Sequence, residues 1–447
     1  MEGLEISEVG LRETLNNNRI DAECYQKAHI LISKEIIAYP HKTLSNIAEI
    51  TDGEHGSPKL DEDSGIVYLS GHNVKNNFID YSDIRYCDRS IHEKNARSAL
   101  RVNNVLLSIV GTVGNASVIY EDVEGNTDRN VATIKNIHGV NPYFLSTFLN
   151  SKYGKYQTGK LSTGNVQPLL NLIQVKSVII CLPSDSFQKE IEQIVQTSHN
   201  KAKQASVLYT DAKNVLLEEL KLNKWQPEKK TYNIKQLKES FLVSGRLDAE
   251  HYQVKYDELE LLIKATPYKS IAEIQQFNAR GVQPDYVESG EVSVVNSKHI
   301  LEDGIDYDNF EHTTTDFLNT HSRAQIRYGD ILIYTTGANI GRTQVYLKDE
   351  PAIASNHVNI LRVQGVNPIF LAMVLNSQIG RLQTEKLCTG SAQAELYPSD
   401  IEKFIVPILP EEKQQAIADY VQKSVSLRQQ ARQLLEDAQL MVEKEIQ

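Results

Sequence analysis

The sequence predicts an α+β chain made by tandem duplication: two mixed α/β bodies separated by two long helices that pair as an antiparallel coiled coil, giving a pseudo-twofold arrangement. Three observations lead there. Blocks of the first half return in the second at a shift of about 226 positions. Two stretches carry long helical periodicity, and the segments between are short β-branched runs bounded by Gly, Asn and Asp.

The duplication is legible in order. RIDAECYQ at 19–26 returns as RLDAEHYQ at 246–253, and GTVGNASVIY at 111–120 as GANIGRTQVYL at 337–347. GVNPYFLSTFLNSKYGKYQ at 139–157 returns as GVNPIFLAMVLNSQIGRLQ at 365–383, and LSTGNVQPLL at 161–170 as LCTGSAQAEL at 387–396. This period is too long for a solenoid. The expected boundaries are a helical lead-in over 1–34, a first body over 35–184, and a central helical region with linker over 185–264. A second body over 265–409 and a long helix over 410–447 follow.

Within the bodies, GIVYLSGHNV, NVLLSIVGTVGNASVIY and DILIYTTGANIGRTQVYL read as strands, with Gly111 and Gly114, or Gly337 and Gly341, turning one strand into the next. Helices begin at Pro142 and Pro368, a residue suited to the first turn. The central long helix, Ser186 to Leu220, carries a stripe of Ile191, Ile194, Val195, Ser198, Ala202, Ala205, Leu208, Ala212, Val215 and Leu216. The last, Pro410 to Ile446, repeats that stripe from Ile417 to Val442. At about 1.5 Å per residue each would be roughly 50 Å long. Ser198, Ala202, Ala205 and Ala212 would let a second backbone approach closely, so the two helices are natural partners. The alternative is that each helix only covers the body beside it. Between them, Asn223 to Thr231 is a polar linker holding the only tryptophan.

Composition narrows the function. No run approaches the 18 or more apolar residues of a membrane span, and the acidic, amphipathic amino terminus does not read as a signal peptide, so a cytoplasmic protein with no membrane partner is expected. Cys24, Cys87, Cys181 and Cys388 lie far apart and read as reduced, packed thiols, and no metal site is expected. A phosphate loop, an HEXXH motif and a Ser/His/Asp set are all absent, and NPYF at Asn141 to Phe144 lacks the second proline of an adenine methyltransferase motif and reads as a helix start.

The net charge of −11 argues against a generic binder of duplex DNA. Much of that acid, however, sits in the long helices, while Arg85, Arg89, Lys94, Arg97 and Arg101 cluster in the first body and His321, Arg323 and Arg327 in the second. Two unlike readers on a quasi-dyadic duplex would recognise a bipartite, asymmetric target. The candidates for reading bases are polar residues that recur in both halves: Ser70 and His72 with Ser297 and His299, Asn130 with Asn356, and Gln167 with Gln393. Their neighbours Asn73, Lys75, Lys298, Arg342 and His357 join them. Arg85, Arg89, Arg97, Arg101, Arg323 and Arg327 are candidates for phosphates. Against this stands the alternative that shared polar residues hold the fold.

At the exit of each body stands one pattern: Thr163, Gly164, Gln167, Leu170, Pro183, Gln188 and Ile191, then Thr389, Gly390, Gln393, Leu396, Pro410, Gln414 and Ile417. A second pattern, Gly329, Asp330, Ile331 and Leu332, precedes the second glycine turn, where the first half departs with Asn103 and Asn104. On these residues, across almost its full length, the chain resembles the specificity subunits of type I restriction-modification systems. The resemblance implies two target-recognition domains that read double-stranded DNA, no catalysis, and two adenine-N6 methyltransferase subunits clamped about the coiled coil. It also implies that S-adenosylmethionine belongs to the methyltransferase partner, and ATP and Mg to restriction subunits that join the full complex. Two other readings stay open: a coiled-coil adaptor for protein partners, and the specificity subunit of a related methylation or defence system.

Overall fold

The computed structural model describes residues 7–11, 14, 25–56, 58–164, 167–390 and 394–447. Gln393, Cys24 and most of the 19–26 block lie outside the described residues. The chain forms two compact units, 1–203 with 428–447 and 204–427. The division falls inside the long helices, Asp185–Glu219 and Glu411–Ile446, so part of each belongs to each unit.

In the first unit a four-stranded antiparallel sheet runs in the order Glu49–Asp52, Val131–Lys135, Val105–Ser108, Ala116–Val118. Side chains alternate across a strand, and here both faces are covered. Val105 and Leu107 join Phe144, Phe148, Ile191, Val195, Ala438 and Val442 in one cluster. Leu106 and Val131 join Val67, Leu69 and Val74 in another, against a second sheet ordered Arg85–Tyr86, Val67–Leu69, Gly125–Thr127. Burial on both faces explains why Val105–Ser108 reads as an unbroken apolar run rather than an alternating one.

The second unit repeats this plan. Its antiparallel sheet is ordered Gln275–Arg280, Val358–Val363, Ile331–Tyr334, Thr343–Val345, and its second sheet Glu311–Thr313, Val292–Val295, Ala352–Ala354, Gln325–Ile326. Ile331 and Ile333 face the cluster of Phe370, Ala212, Leu216, Ile417 and Val421, whereas Leu332 faces Val295 and Ala354. In each half the NP dipeptide is a helix cap. Asn141 accepts from the amides of Tyr143 and Phe144 ahead of Pro142–Asn150, and Asn367 does the same ahead of Pro368–Asn376.

The helices lie against each other antiparallel within each unit and also cover its body, so the alternative that each helix only covers the body beside it does not describe them. In the first unit Ser198 Oγ donates to the Ala431 carbonyl at 2.7 Å, and in the second Ser424 Oγ donates to the Ala205 carbonyl at 2.7 Å. Backbones come this close because the intervening side chains are small.

The exit pattern is a lock on this arrangement. Gln188 is buried; its Oε1 accepts from the Asn141 amide at 2.8 Å and its Nε2 donates to the Pro183 carbonyl at 3.0 Å. Gln414 does the same to Asn367 and Leu409 at 2.9 and 2.8 Å. Leu170, Ile191, Leu396 and Ile417 are buried apolar anchors. The departure at Asn103 and Asn104 has a matching change. Asp330 is buried, accepts from the Arg327 amide and takes a bidentate pair from Arg362 at 2.7 Å, whereas in the first unit Asn104 stands opposite Lys135, whose amine donates to the Arg97 carbonyl.

Among the described residues no helix is long and apolar enough to cross a membrane. No group of three or more His, Cys, Asp or Glu is placed to hold a metal ion among them. Cys87, Cys181 and Cys388 are free thiols, each raised above the ordinary cysteine value by burial.

Candidate functional site

In the first unit, strands Val67–Leu69 and Gly125–Thr127 run parallel, and the loops leaving their ends meet the loop after Glu49–Asp52. Gly53 makes this meeting possible: a Cβ there would lie 1.7 Å from the Thr127 carbonyl oxygen. The result is an open cleft of about 650 Å3 lined by Glu54, His55, Tyr68, Arg85, Asp128, Arg129 and Asn130, among others. Arg85 sits opposite Tyr68 on the neighbouring strand, with its guanidinium 5.5 Å from the ring centre. Tyr68 is only 1% exposed, and its hydroxyl meets no hydrogen-bond partner among the described residues. Asp128 is raised above the usual carboxylate range by burial, although it accepts from both the amide and the Nδ2 of Asn130. Glu54 is lowered, chiefly by the hydrogen bond from Asn95. Guanidinium, imidazole, carboxylate and amide groups converge here at loop tips, a mixture of donors and acceptors that matches the edges of bases better than a row of phosphates.

The second unit builds the same place from other side chains. Gly281 repeats the close approach, since a Cβ there would lie 2.1 Å from the Ala354 carbonyl oxygen. Glu54 bridges Asp128 as Val282 bridges Ser355, and Tyr68 pairs with Arg85 as Val294 pairs with Glu311. Ile109 donates to the Asn130 carbonyl as Thr335 does to that of His357. By these pairings Glu54, Tyr68, Arg85, Asp128, Arg129 and Asn130 correspond to Val282, Val294, Glu311, Ser355, Asn356 and His357. None of the six is retained.

The same register corrects two sequence pairings. Asn130 matches His357 rather than Asn356, because the turn from Gly337 to Gly341 holds one residue more than that from Gly111 to Gly114. Asn73 matches His299: each holds the amide three residues back, Asn73 Oδ1 accepting from Ser70 at 2.9 Å and His299 Nδ1 from Asn296 at 3.0 Å. Ser70 and His72 therefore do not stand where Ser297 and His299 stand.

Of the other candidates, Asn73 and His299 are scaffold. Asn73 is 1% exposed and donates to the carbonyls of Asp80 and Asp83, leaving nothing for a ligand. His299 is buried and lowered below the ordinary histidine value by that burial. His72 is exposed beside the cleft, with Ser70 Oγ at 2.6 Å from its Nδ1. Lys75 lies 4.0 Å from Asp80, Lys298 pairs with Glu311, Ser297 is half-buried, and Gln167 is exposed on the loop that ends at Leu170. Arg342 lies elsewhere in its unit, against the Ile300 carbonyl and Asn339. Among the phosphate candidates, Arg89 makes a bidentate pair with Glu124 at 2.9 and 3.2 Å and Arg97 leans on Asp52 and the Gly53 carbonyl, so both are already engaged. Arg101, Arg323 and Arg327 are exposed.

A family model described as the type I restriction modification DNA specificity domain matches residues 39–207 and again 267–437. The chain belongs to this family. It carries two copies of the domain, one for each half of the duplication. The specificity subunit of the type I restriction enzyme EcoBI from Escherichia coli is 29% identical over 140 residues, which is 31% of this chain and 30% of that one. The chain thus aligns with under a third of that relative's length. Among solved structures, the type I specificity subunit of M. genitalium shares 12% identity at a TM-score of 0.42, covering 91% of this chain and 95% of that one. The HsdS subunit of Thermoanaerobacter tengcongensis shares 13% at 0.28, covering 91% and 96%.

Sequence reasoning missed Glu54, His55, Tyr68, Asp128 and Arg129. The filter of recurrence in both halves could not find them, because it selects what the two units share. A signal was available in the opposite direction, in polar residues that differ next to shared glycines such as Gly53 and Gly281.

Proposed function

We propose that this chain reads a bipartite, asymmetric target in duplex DNA, one half-site per unit, and has no catalysis of its own. The observation that supports this best is the cleft at the ends of the parallel strands: the backbone is the same in both units, while every compared lining side chain is exchanged. A structural or enzymatic site would retain its side chains, whereas two readers of different bases keep the frame and change the tips. Arg85 and Arg129 offer bidentate donors of the kind guanine accepts, and Asp128 and Glu54 acceptors of the kind cytosine matches. Arg101, Arg323 and Arg327 would hold phosphates.

The chain would further assemble two adenine-N6 methyltransferase subunits, with S-adenosylmethionine bound by them, and in a full system restriction subunits using ATP and Mg. Support for protein partners comes from the segment after the linker, where Tyr232, Ile234, Leu242, Val243 and Leu247 are exposed, Ile234 to 87%. The long helices would set the spacing of the half-sites. Methylome sequencing of a host with and without the gene tests the proposal. A bipartite adenine-methylated motif that depends on the gene is expected, and its absence would count against DNA reading.

A further inference from the structure

A second cavity, of about 650 Å3, lies within the second unit and takes no part in the cleft described above. Its wall joins Leu217 of the central long helix, Trp225 of the linker, the glycine-turn residue Arg342, and the start of helix Gln378–Leu387. Lys213, Arg342 and Arg381 line it, against one carboxylate among the described residues, that of Glu302. The helix is ten residues long, and among the described residues nothing accepts from the amide of its first residue, Gln378. That end of a helix favours negative charge.

The duplication supplies an independent observation of what belongs there. In the first unit the matching helix, Lys152–Leu161, has its first amide occupied: Lys152 N donates to Glu443 Oε1 at 2.7 Å, and Gln439 Nε2 donates to the same oxygen at 3.3 Å. Glu443 stands on the terminal long helix where the central one carries Leu217. The first copy thus holds a carboxylate supplied by its own chain. The second presents leucine at that position, an unanswered amide and three cations.

We propose that this cavity binds an aspartate or glutamate carboxylate presented by a helical segment of a partner protein, with Trp225 and Leu217 packing against its apolar neighbours. Glu443 is already engaged in the first unit, and among the described residues Glu302 is the one acidic side chain lining the cavity, so the proposal places the carboxylate on a partner. The proposal is independent of what the cleft reads.

Trp225 is the only tryptophan and stands in the cavity wall, so the fluorescence of the full chain reports occupancy. The probe is a synthetic peptide of residues 428–447, the segment carrying Glu443, which contains no tryptophan. A saturable change in Trp225 emission is expected. It should weaken about tenfold or more with the Glu443→Gln peptide, as the loss of a charge-assisted hydrogen bond implies. It should weaken likewise with Arg381→Gln or Lys213→Gln in the chain, both exposed side chains whose replacement leaves the core intact. No saturable change, or equal affinity for the Glu443→Gln peptide, overturns the proposal. So does the same saturable change produced by duplex DNA and not by the peptide, which would assign the cavity to phosphate.

Discussion

Gln188→Ala tests how the exit pattern holds a body to its long helix. Gln188 is 4% exposed and bridges two backbone groups, the Asn141 amide and the Pro183 carbonyl. Alanine leaves both unpaired where water cannot readily reach. A buried donor or acceptor without a partner costs about 1–3 kcal/mol, so the pair amounts to about 2–6 kcal/mol. For a unit of this size, about 2–4 °C of melting temperature is lost per kcal/mol, which places the expected fall at roughly 4–24 °C. Differential scanning calorimetry of the full chain measures it. Gln188→Glu is the internal control: its carboxylate still accepts from Asn141 but sets an oxygen against the Pro183 carbonyl in a buried site, so at neutral pH it should melt no higher than alanine. Gln414→Ala should act by a similar amount on the second unit, and the two effects should add, since the sites share no partner. A Gln188→Ala chain that melts within about 1 °C of the parent would refute the lock.

Other consequences follow from single contacts. Asp330→Asn removes the charge that answers Arg362 and should cost about 3–5 kcal/mol in denaturant melts; adding Arg362→Lys recreates the Asn104 and Lys135 combination of the first unit and should recover part of it. If the double variant is no better than the single one, the paired-substitution account fails. His199, His251 and His299 are all held below the ordinary histidine value, in each case chiefly by burial. The unfolded chain therefore takes up these protons first, and stability should decline as pH drops below about 6.5, until the folded groups also protonate. A flat melting temperature between pH 7.5 and 5.5 would contradict that sign. Arg85→Ala with Arg129→Ala should relax one half of the methylated motif and leave the other unchanged, which methylome sequencing reads directly. Arg101→Ala should instead weaken DNA binding by the assembled complex for all sequences and reduce its salt slope by about one.

The sequence by itself determined the architecture: duplication, two long helices, short β-branched strands and helix starts at Pro142 and Pro368 all follow from periodicity and from residues with narrow backbone roles. It also marked Gln188 and Gln414, though as part of a pattern whose physical task was invisible. Without the register, Asn73 and His299 looked like readers, and only their burial and bonds to Ser70 and Asn296 showed them to be scaffold. What the tertiary structure alone decided is the cleft. Glu54, Tyr68, Arg85 and Asp128 come from four separate stretches of chain, and no local spacing connects them. Parallel pairing of Val67–Leu69 with Gly125–Thr127 and the close approach at Gly53 bring them together. The one-residue difference between the glycine turns had the same character: it shifts the pairings from Gly114 as far as Lys135 by one, until the earlier offset returns at Gly139 and Gly365, and hydrogen-bond register, not residue identity, reveals it.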